Sequence, residues 1–215
     1  MVTFYIIRHG ETLLNSLGRA QGWSDSPLTD HGKKSAIELG LEIKGTIFHA
    51  AYVSDTLRAG QTAELILSIS GNDNIKIQKD MRLREWCLGS MDAEHNTILS
   101  QTVSEWLGVS SFAEFNKRLP DIAEAIYEHD TTGMAESFAD ISNRLKGVFE
   151  DMVKNGLHNE SSNILVVTHA FAIKTLLYLF APERLCAMER VKNIEVLRLI
   201  YDEGVFRFRA FSETQ

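Results

Sequence analysis

Cysteine is scarce: Cys87 and Cys186 are the only two in 215 residues, and their spacing fits neither a zinc site nor a disulfide framework. Two free thiols in a reducing compartment are expected. Long apolar runs are missing too, so no segment approaches a membrane-spanning length. Met1 to Ile7 is too short, and lacks the basic lead, for a signal peptide, so a cytoplasmic location is expected. There the sequon Asn159-Glu160-Ser161 has no meaning. Positive charge is in deficit, with Lys and Arg at 22 against Asp and Glu at 29, for a net charge of −7. No global field draws the chain to nucleic acid or to an anionic membrane, and neither is expected as a partner. Two phosphate-binding motifs fail: no G-x-G occurs, and Gly32-Lys33-Lys34 lacks the rest of a P-loop. The G-x-S-x-G elbow is absent as well.

What is present is the make-up of a globular protein, 44% apolar and 24% charged, outside the range of disordered, collagen-like and coiled-coil chains. At about 150 residues per domain, the chain reads as one domain over 1–215. Val2 to Ile7 is rich in β-branched and aromatic residues and reads as a buried strand. A helix from about 30 to 44 follows, capped near Thr29, then a strand over 47–53 and a helix from Leu57 to Leu67 capped by Ser54 or Asp55. Ile75 to Ile77 is a third strand. From about 86 to 133 the βα rhythm gives way to a mostly helical excursion, expected to form a substrate-side cap. A helix over 138–155, a strand over 163–168, a helix over 172–180 and a terminal hairpin over 195–208 complete the chain. Alternating strands and helices with apolar strands predict an α/β fold: a mostly parallel sheet covered on both faces.

In open α/β sheets ligands bind beyond the carboxyl ends of the strands. The first strand ends in Arg8-His9-Gly10-Glu11, the second in Ser54-Asp55 with Arg58 just beyond, and the long apolar one in Thr168-His169. Two arginines and two histidines therefore converge with helix N-termini on one crevice, which makes an anion site. Two bidentate guanidinium forks and a protonated histidine would set three positive charges against a phosphate dianion. His9, locked between strand and glycine turn, is the candidate nucleophile, with Gly10 letting the backbone approach the phosphate. Expelling an alkoxide also needs a carboxylic acid of raised pKa, and Glu85 in Leu83-Arg84-Glu85 is placed for it.

These residues resemble the histidine phosphatase superfamily, also called phosphoglycerate mutase-like, over nearly the whole chain. The resemblance rests on Arg8-His9-Gly10-Glu11-Thr12, Asn15, Gly18-Arg19, Gln21-Gly22 and Asp25-Ser26-Pro27-Leu28-Thr29, with Gly32. It continues through Ser54-Asp55, Arg58, Gln61-Thr62-Ala63, Leu83-Arg84-Glu85, Leu88-Gly89, Glu136-Ser137 and Val166-Val167-Thr168-His169. It implies a phosphoglycerate mutase-like fold, His9 as the phosphorylated nucleophile, Arg8, Arg58 and His169 as phosphate ligands, and Glu85 as proton donor. It further implies that Asn15, Gln21 and Gly22 line the substrate side, and that no metal or organic cofactor is used.

The chain departs from the family pattern at Ser90-Met91-Asp92, at Ala170-Phe171 after the second histidine, and at Met134-Ala135. None of these removes a reacting group, but each bears on loop shape. His31, His49, His95, His129 and His158 lack ligand spacing and are read as surface or capping residues. Trp86, Trp106, Phe112, Phe115 and Phe171 are assigned to the core with one or two exceptions, and Trp23 is left between core and pocket. Arg82 and Arg84 read as ion-pair formers, Glu11 as a support, and Cys87 as packing.

Trp86 to Asn116 contains no lysine or arginine, whereas a mutase needs a second cationic cluster for its substrate's carboxylate. That favours a metal-independent phosphomonoesterase acting on a small phosphorylated metabolite. The alternatives are a cofactor-dependent phosphoglycerate mutase and a non-catalytic phospho-ligand or protein-binding module. A homodimer is left open.

Overall fold

The computed structural model describes residues 1–109, 112–156 and 161–209. In chain order the elements are β1 (Val2–Arg8), α1 (Leu13–Ser16), α2 (Asp30–Glu42), β2 (Ala50–Val53), α3 (Leu57–Ser70) and β3 (Ile77–Lys79). Helices α4 (Asn96–Leu107), α5 (Phe112–Lys117) and α6 (Leu119–His129) form the excursion. Then come α7 (Phe138–Gly156), β4 (Ser162–Thr168), α8 (Ala170–Phe180), α9 (Pro182–Ala187), β5 (Val196–Asp202) and β6 (Val205–Arg209). The sheet order is β3-β2-β4-β1-β5-β6. The first four strands are parallel, β5 pairs antiparallel with β1, and β6 pairs antiparallel with β5.

Period-two alternation on the central strands builds two cores at once. Phe4 and Ile6 of β1 and Ile164 and Val166 of β4 point into one, with α7 and α8 supplying Leu145, Phe149, Ile173 and Leu177. Tyr5, Ile7, Leu165 and Val167 point into the other, against Leu39 of α2 and Ile66 of α3. Each such side chain contributes about 1.5–3 kcal/mol on burial, so a sheet apolar on both faces needs helices on both.

Several boundaries differ from the expected ones. β2 begins at Ala50 rather than 47, because Phe48 N–H is taken by Asn72 Oδ1 and His49 N–H by Asn163 O. β3 falls at Ile77–Lys79 rather than 75–77, since Ile75 N–H closes a turn onto Asn72 O. The geometric cap of α3 is Thr56, which makes no side-chain cap bond; Asp25, distant in sequence, accepts from Leu57 N–H instead of Ser54 or Asp55. Thr29 caps α2 as expected, accepting from Gly32 N–H. Beyond Ala181, Pro182 starts the short α9. The hairpin turns on Glu203 and Gly204, both at positive φ as a tight two-residue turn requires. His158 and the sequon residues Asn159 and Glu160 lie outside the described residues.

Candidate active site

The site forms where β1 and β4, paired in parallel register Arg8↔Thr168, end side by side. His9 N–H continues that ladder onto Thr168 O at 3.0 Å, and Asn193 Nδ2 donates to His9 O at 2.8 Å, so the backbone at His9 is held from two sides. The ring is held as well. His9 Nδ1 lies 2.8 Å from Gly10 O, an atom that can only accept, so Nδ1 carries the proton and Nε2 keeps its lone pair. Burial, followed by the charges of Arg8 and Arg58, keeps this imidazole well below its usual pKa, in the neutral form a nucleophile needs.

His169 is the complementary case. Its Nδ1 accepts from Arg58 Nε at 3.2 Å, which leaves the proton on Nε2, and that buried nitrogen has no partner among the described residues. Burial, with the charge of Arg58 next, holds His169 well below its ordinary pKa. The protonated histidine expected from the sequence is therefore a neutral N–H donor, and of the three positive charges expected around the phosphate only those of Arg8 and Arg58 are in place. Arg8 donates from Nη1 to Val191 O at 2.7 Å while its buried Nε has no partner among the described residues.

Arg58 departs from the bidentate fork expected of it. It is fully buried and binds Ser24 O and Asp25 Oδ1 through Nη1, Gly22 O through Nη2 and His169 through Nε. A single Nη2 N–H remains, so Arg58 offers an anion its charge and one bond rather than two. Gly10 also has another reason than the expected one. A Cβ there would lie 2.8 Å from Gly32 O, so packing against α2 demands the glycine, and its N–H is bonded to Thr62 Oγ1.

Glu85 is 5% exposed, and its carboxyl group faces the N-terminus of α8. Oε2 accepts from Phe171 N–H and Oε1 from Ala172 N–H, both at 2.9 Å, and Oε1 also accepts from Trp86 N–H at 3.1 Å. Burial outweighs these bonds and raises the pKa, with the bonds pulling the other way. The Ala170-Phe171 departure leaves this arrangement intact because the donors are backbone groups.

Arg8, His9, Asn15, Gln21 and Glu85 line one cleft of about 110 Å³, together with Arg19 and Phe171. Gln21 is buried with its amide 2.7 Å from Thr12 Oγ1. Gly22 is packed under Trp86 O, where a Cβ would lie at 2.6 Å, and its N–H and carbonyl serve Asp92 and Arg58. The Ser90-Met91-Asp92 departure has a use here. Asp92 accepts from the N–H groups of Gly22, Trp23 and Ser24 and from Ser24 Oγ, and so shapes the loop whose carbonyls bind Arg58. Asp130 gathers the N–H groups of Ser90, Thr132, Met134 and Ala135 beside it, so the third departure enters this arrangement through its backbone.

Arg144 of α7 is the main residue that sequence reasoning missed. Its five N–H groups reach Glu136 Oε1 and Oε2 and the carbonyls of Arg82, Arg84 and Glu85, clamping the segment that carries Glu85. Thr168 Oγ1 donates to Leu83 O at 2.7 Å and ties the same segment to β4. An arginine on the polar side of a long helix carries no local signal of such a role.

Other expectations can be placed directly. Arg82 pairs with Asp80 and Asp151, and Arg84 with Asp55. Glu11 accepts from Thr29 Oγ1, and Cys87 is buried. His95 stands at the N-cap position of α4 without a side-chain cap bond, His129 stacks on Trp106, and His49 Nδ1 accepts from Asn163 N–H. Trp23 donates to Glu85 O at 3.1 Å and lies under the Arg84 guanidinium. Trp86 is core, while Phe115 and Phe171 line cavities. Among the described residues no cluster of His, Cys, Asp or Glu is arranged to hold a metal ion, and no helix is long and apolar enough to cross a membrane.

A family model described as "Histidine phosphatase superfamily (branch 1)" matches residues 4–214. The chain belongs to the histidine phosphatase superfamily. Among its relatives in this superfamily is a probable phosphoglycerate mutase GpmB of Enterobacter sp. (strain 638), 31% identical over 95% of this chain and 87% of the relative. The crystal structure of phosphoglycerate mutase from Bacillus anthracis str. Sterne superposes with a TM-score of 0.90 at 32% identity, covering 97% of this chain and 92% of that one. Phosphoserine phosphatase from Entamoeba histolytica, in complex with 3-phosphoglyceric acid, gives 0.72 at 27% identity over 100% and 98%. Superfamily membership and the mixed, mostly parallel sheet agree with the sequence reading, and both phosphatases and mutases are among the chain's relatives.

Proposed function

We propose that the protein is a phosphomonoesterase working through a phosphohistidine on His9. The observation that carries this reading is the pairing, in one cleft, of a neutral histidine whose Nε2 lone pair is free with a buried carboxyl group of raised pKa. The unpartnered Arg8 Nε and His169 Nε2 add donors suited to phosphate oxygens.

His9 Nε2 attacks phosphorus as the ester P–O bond breaks and the proton of Glu85 passes to the departing oxygen. Arg8, Arg58 and His169 hold the phosphoryl oxygens meanwhile. Glu85, now a carboxylate, takes a proton from water; the water oxygen forms the new P–O bond, and the P–N bond breaks with its electron pair returning to His9. The balance is ester plus water to alcohol plus phosphate. Asn15 and Gln21 are assigned to the substrate side as cleft-lining groups, and Gly22, whose N–H and carbonyl are taken by Asp92 and Arg58, is assigned there through the loop it shapes.

One observation favours transfer instead: Arg19, outside the lysine- and arginine-free stretch, shares the cleft with His9 and adds a cation to those of Arg8 and Arg58. Phosphate release from p-nitrophenyl phosphate and a panel of natural monophosphates, without metal and with His9→Ala alongside, is the test. Release by wild type and its loss in His9→Ala supports hydrolysis. Equal activity in both refutes it, and conversion of 3-phosphoglycerate only with a bisphosphoglycerate primer makes the protein a mutase.

A further inference from the structure

Beside the catalytic cleft lies a larger cavity of about 340 Å³, at the lower end of ordinary small-molecule sites. Asn96, Leu99 and Phe171 line both spaces, so the two are adjacent. The walls of the larger one are mostly apolar, from Val103, Leu119, Ile122 and Ile126 of the excursion. Into this setting α8 sends Lys174, 9% exposed.

Lys174 Nζ donates to Asn116 Oδ1 at 2.8 Å, and Asn116 is oriented for this because its Nδ2 is committed to the carbonyls of Leu185 and Met188. No carboxylate lies within ion-pair distance of Lys174 among the described residues. The ammonium therefore has N–H donors to spare in a buried, apolar space, an arrangement that calls for a partner from outside the chain. Burial pushes its pKa down to about 8, which still leaves it mostly charged at neutral pH. Phe171 connects the two ends: its N–H holds Glu85, and its ring lies 5.7 Å from Lys174 Nζ.

We infer that the leaving group of the substrate is an apolar alcohol ending in a carboxylate, its body filling the cavity beside Phe171 and its carboxylate paired with Lys174. This rests on the phosphomonoesterase reading and adds the substrate class. A carboxylate is favoured over a neutral acceptor because it alone supplies a countercharge at ion-pair distance, where Glu85 acts on Lys174 only from farther off.

The test compares 6-phosphooxyhexanoate with its methyl ester and with hexyl phosphate, using wild type, Lys174→Met and Lys174→Gln. The expected result is a kcat/KM for the carboxylate-tailed phosphate higher by about tenfold or more than for the two with uncharged tails in wild type, falling to about equal in both variants. Taking the ratio within each variant removes any general loss of activity. Equal turnover of the three esters by wild type overturns the inference and leaves hydrolysis standing. Calorimetric binding of 6-hydroxyhexanoate against hexanol reads the same preference without turnover. Should no ester be hydrolysed, Lys174-dependent binding of the hydroxy acid supports the ligand class while the hydrolase reading falls; equal or absent binding of both overturns the class as well.

Discussion

Arg58 Nε donates to His169 Nδ1 at 3.2 Å, and this one bond decides which nitrogen of His169 carries its proton. The same guanidinium holds the carbonyls of Gly22 and Ser24 and pairs with Asp25, so the histidine's orientation and the 22–25 loop depend on one buried side chain. In an α/β protein whose anion site lies between separate strand ends, such a cross-connection keeps groups distant in sequence in one geometry.

Replacing Arg58 by Ala strands three acceptors and the Asp25 carboxylate, with an expected loss of about 3–5 kcal/mol in stability, read by urea denaturation. His169 loses a neighbouring positive charge at the same time. Its pKa moves upward, visible in the imidazole nitrogen shifts of a pH titration.

On the proposed mechanism, with His9 attacking and Glu85 donating, the pH profile of hydrolysis follows from two opposite shifts. His9 attacks only when neutral, and its pKa is lowered, so activity rises with pH through a value well below 6.5. Glu85 donates only when protonated, and its pKa is raised, so activity falls as pH climbs through a value above 4.5. In Glu85→Gln the alkaline limb disappears. Turnover of alkyl phosphates drops by about 10²–10⁴, while p-nitrophenyl phosphate, with its better leaving group, loses less.

Arg144 touches no reacting atom in this arrangement and acts by positioning Glu85. Arg144→Ala is expected to lower kcat more than it changes KM and to move the alkaline limb of the profile, because Glu85 loses its fixed place beside the N-terminus of α8. Arg144→Lys restores only part of this, since an ammonium cannot span a carboxylate and three carbonyls.

Lys174 carries a stability cost with a definite sign. Its folded pKa, about 8, lies below the ordinary 10.5, so between these values the unfolded chain binds more protons and stability rises with pH. Lys174→Met flattens that rise and raises stability at pH 7, where the buried charge is otherwise in place. Denaturation midpoints at pH 7 and pH 10 read both effects.

The chain by itself determined the architecture and which residues meet at the strand ends. Apolar, β-branched runs at Val2–Ile7 and Ile164–Val167 can be buried only between two helical layers, and Arg8, His9, Arg58 and His169 follow strands or open helices, where the fold places its ligands. Those signals are local, carried by periodicity and by position after a strand. Tertiary structure decided what depends on neighbours remote in sequence: the neutral state of His169, the occupied fork of Arg58, the clamp of Arg144 and the depth of Lys174. The absence of lysine and arginine from Trp86 to Asn116 was legible, but the cavity's cation arrives on α8, from a later stretch of the chain. Burial, pKa and hydrogen-bond commitment are properties of an environment assembled from several segments, and only the packing of α7, α8 and the excursion against the sheet creates that environment.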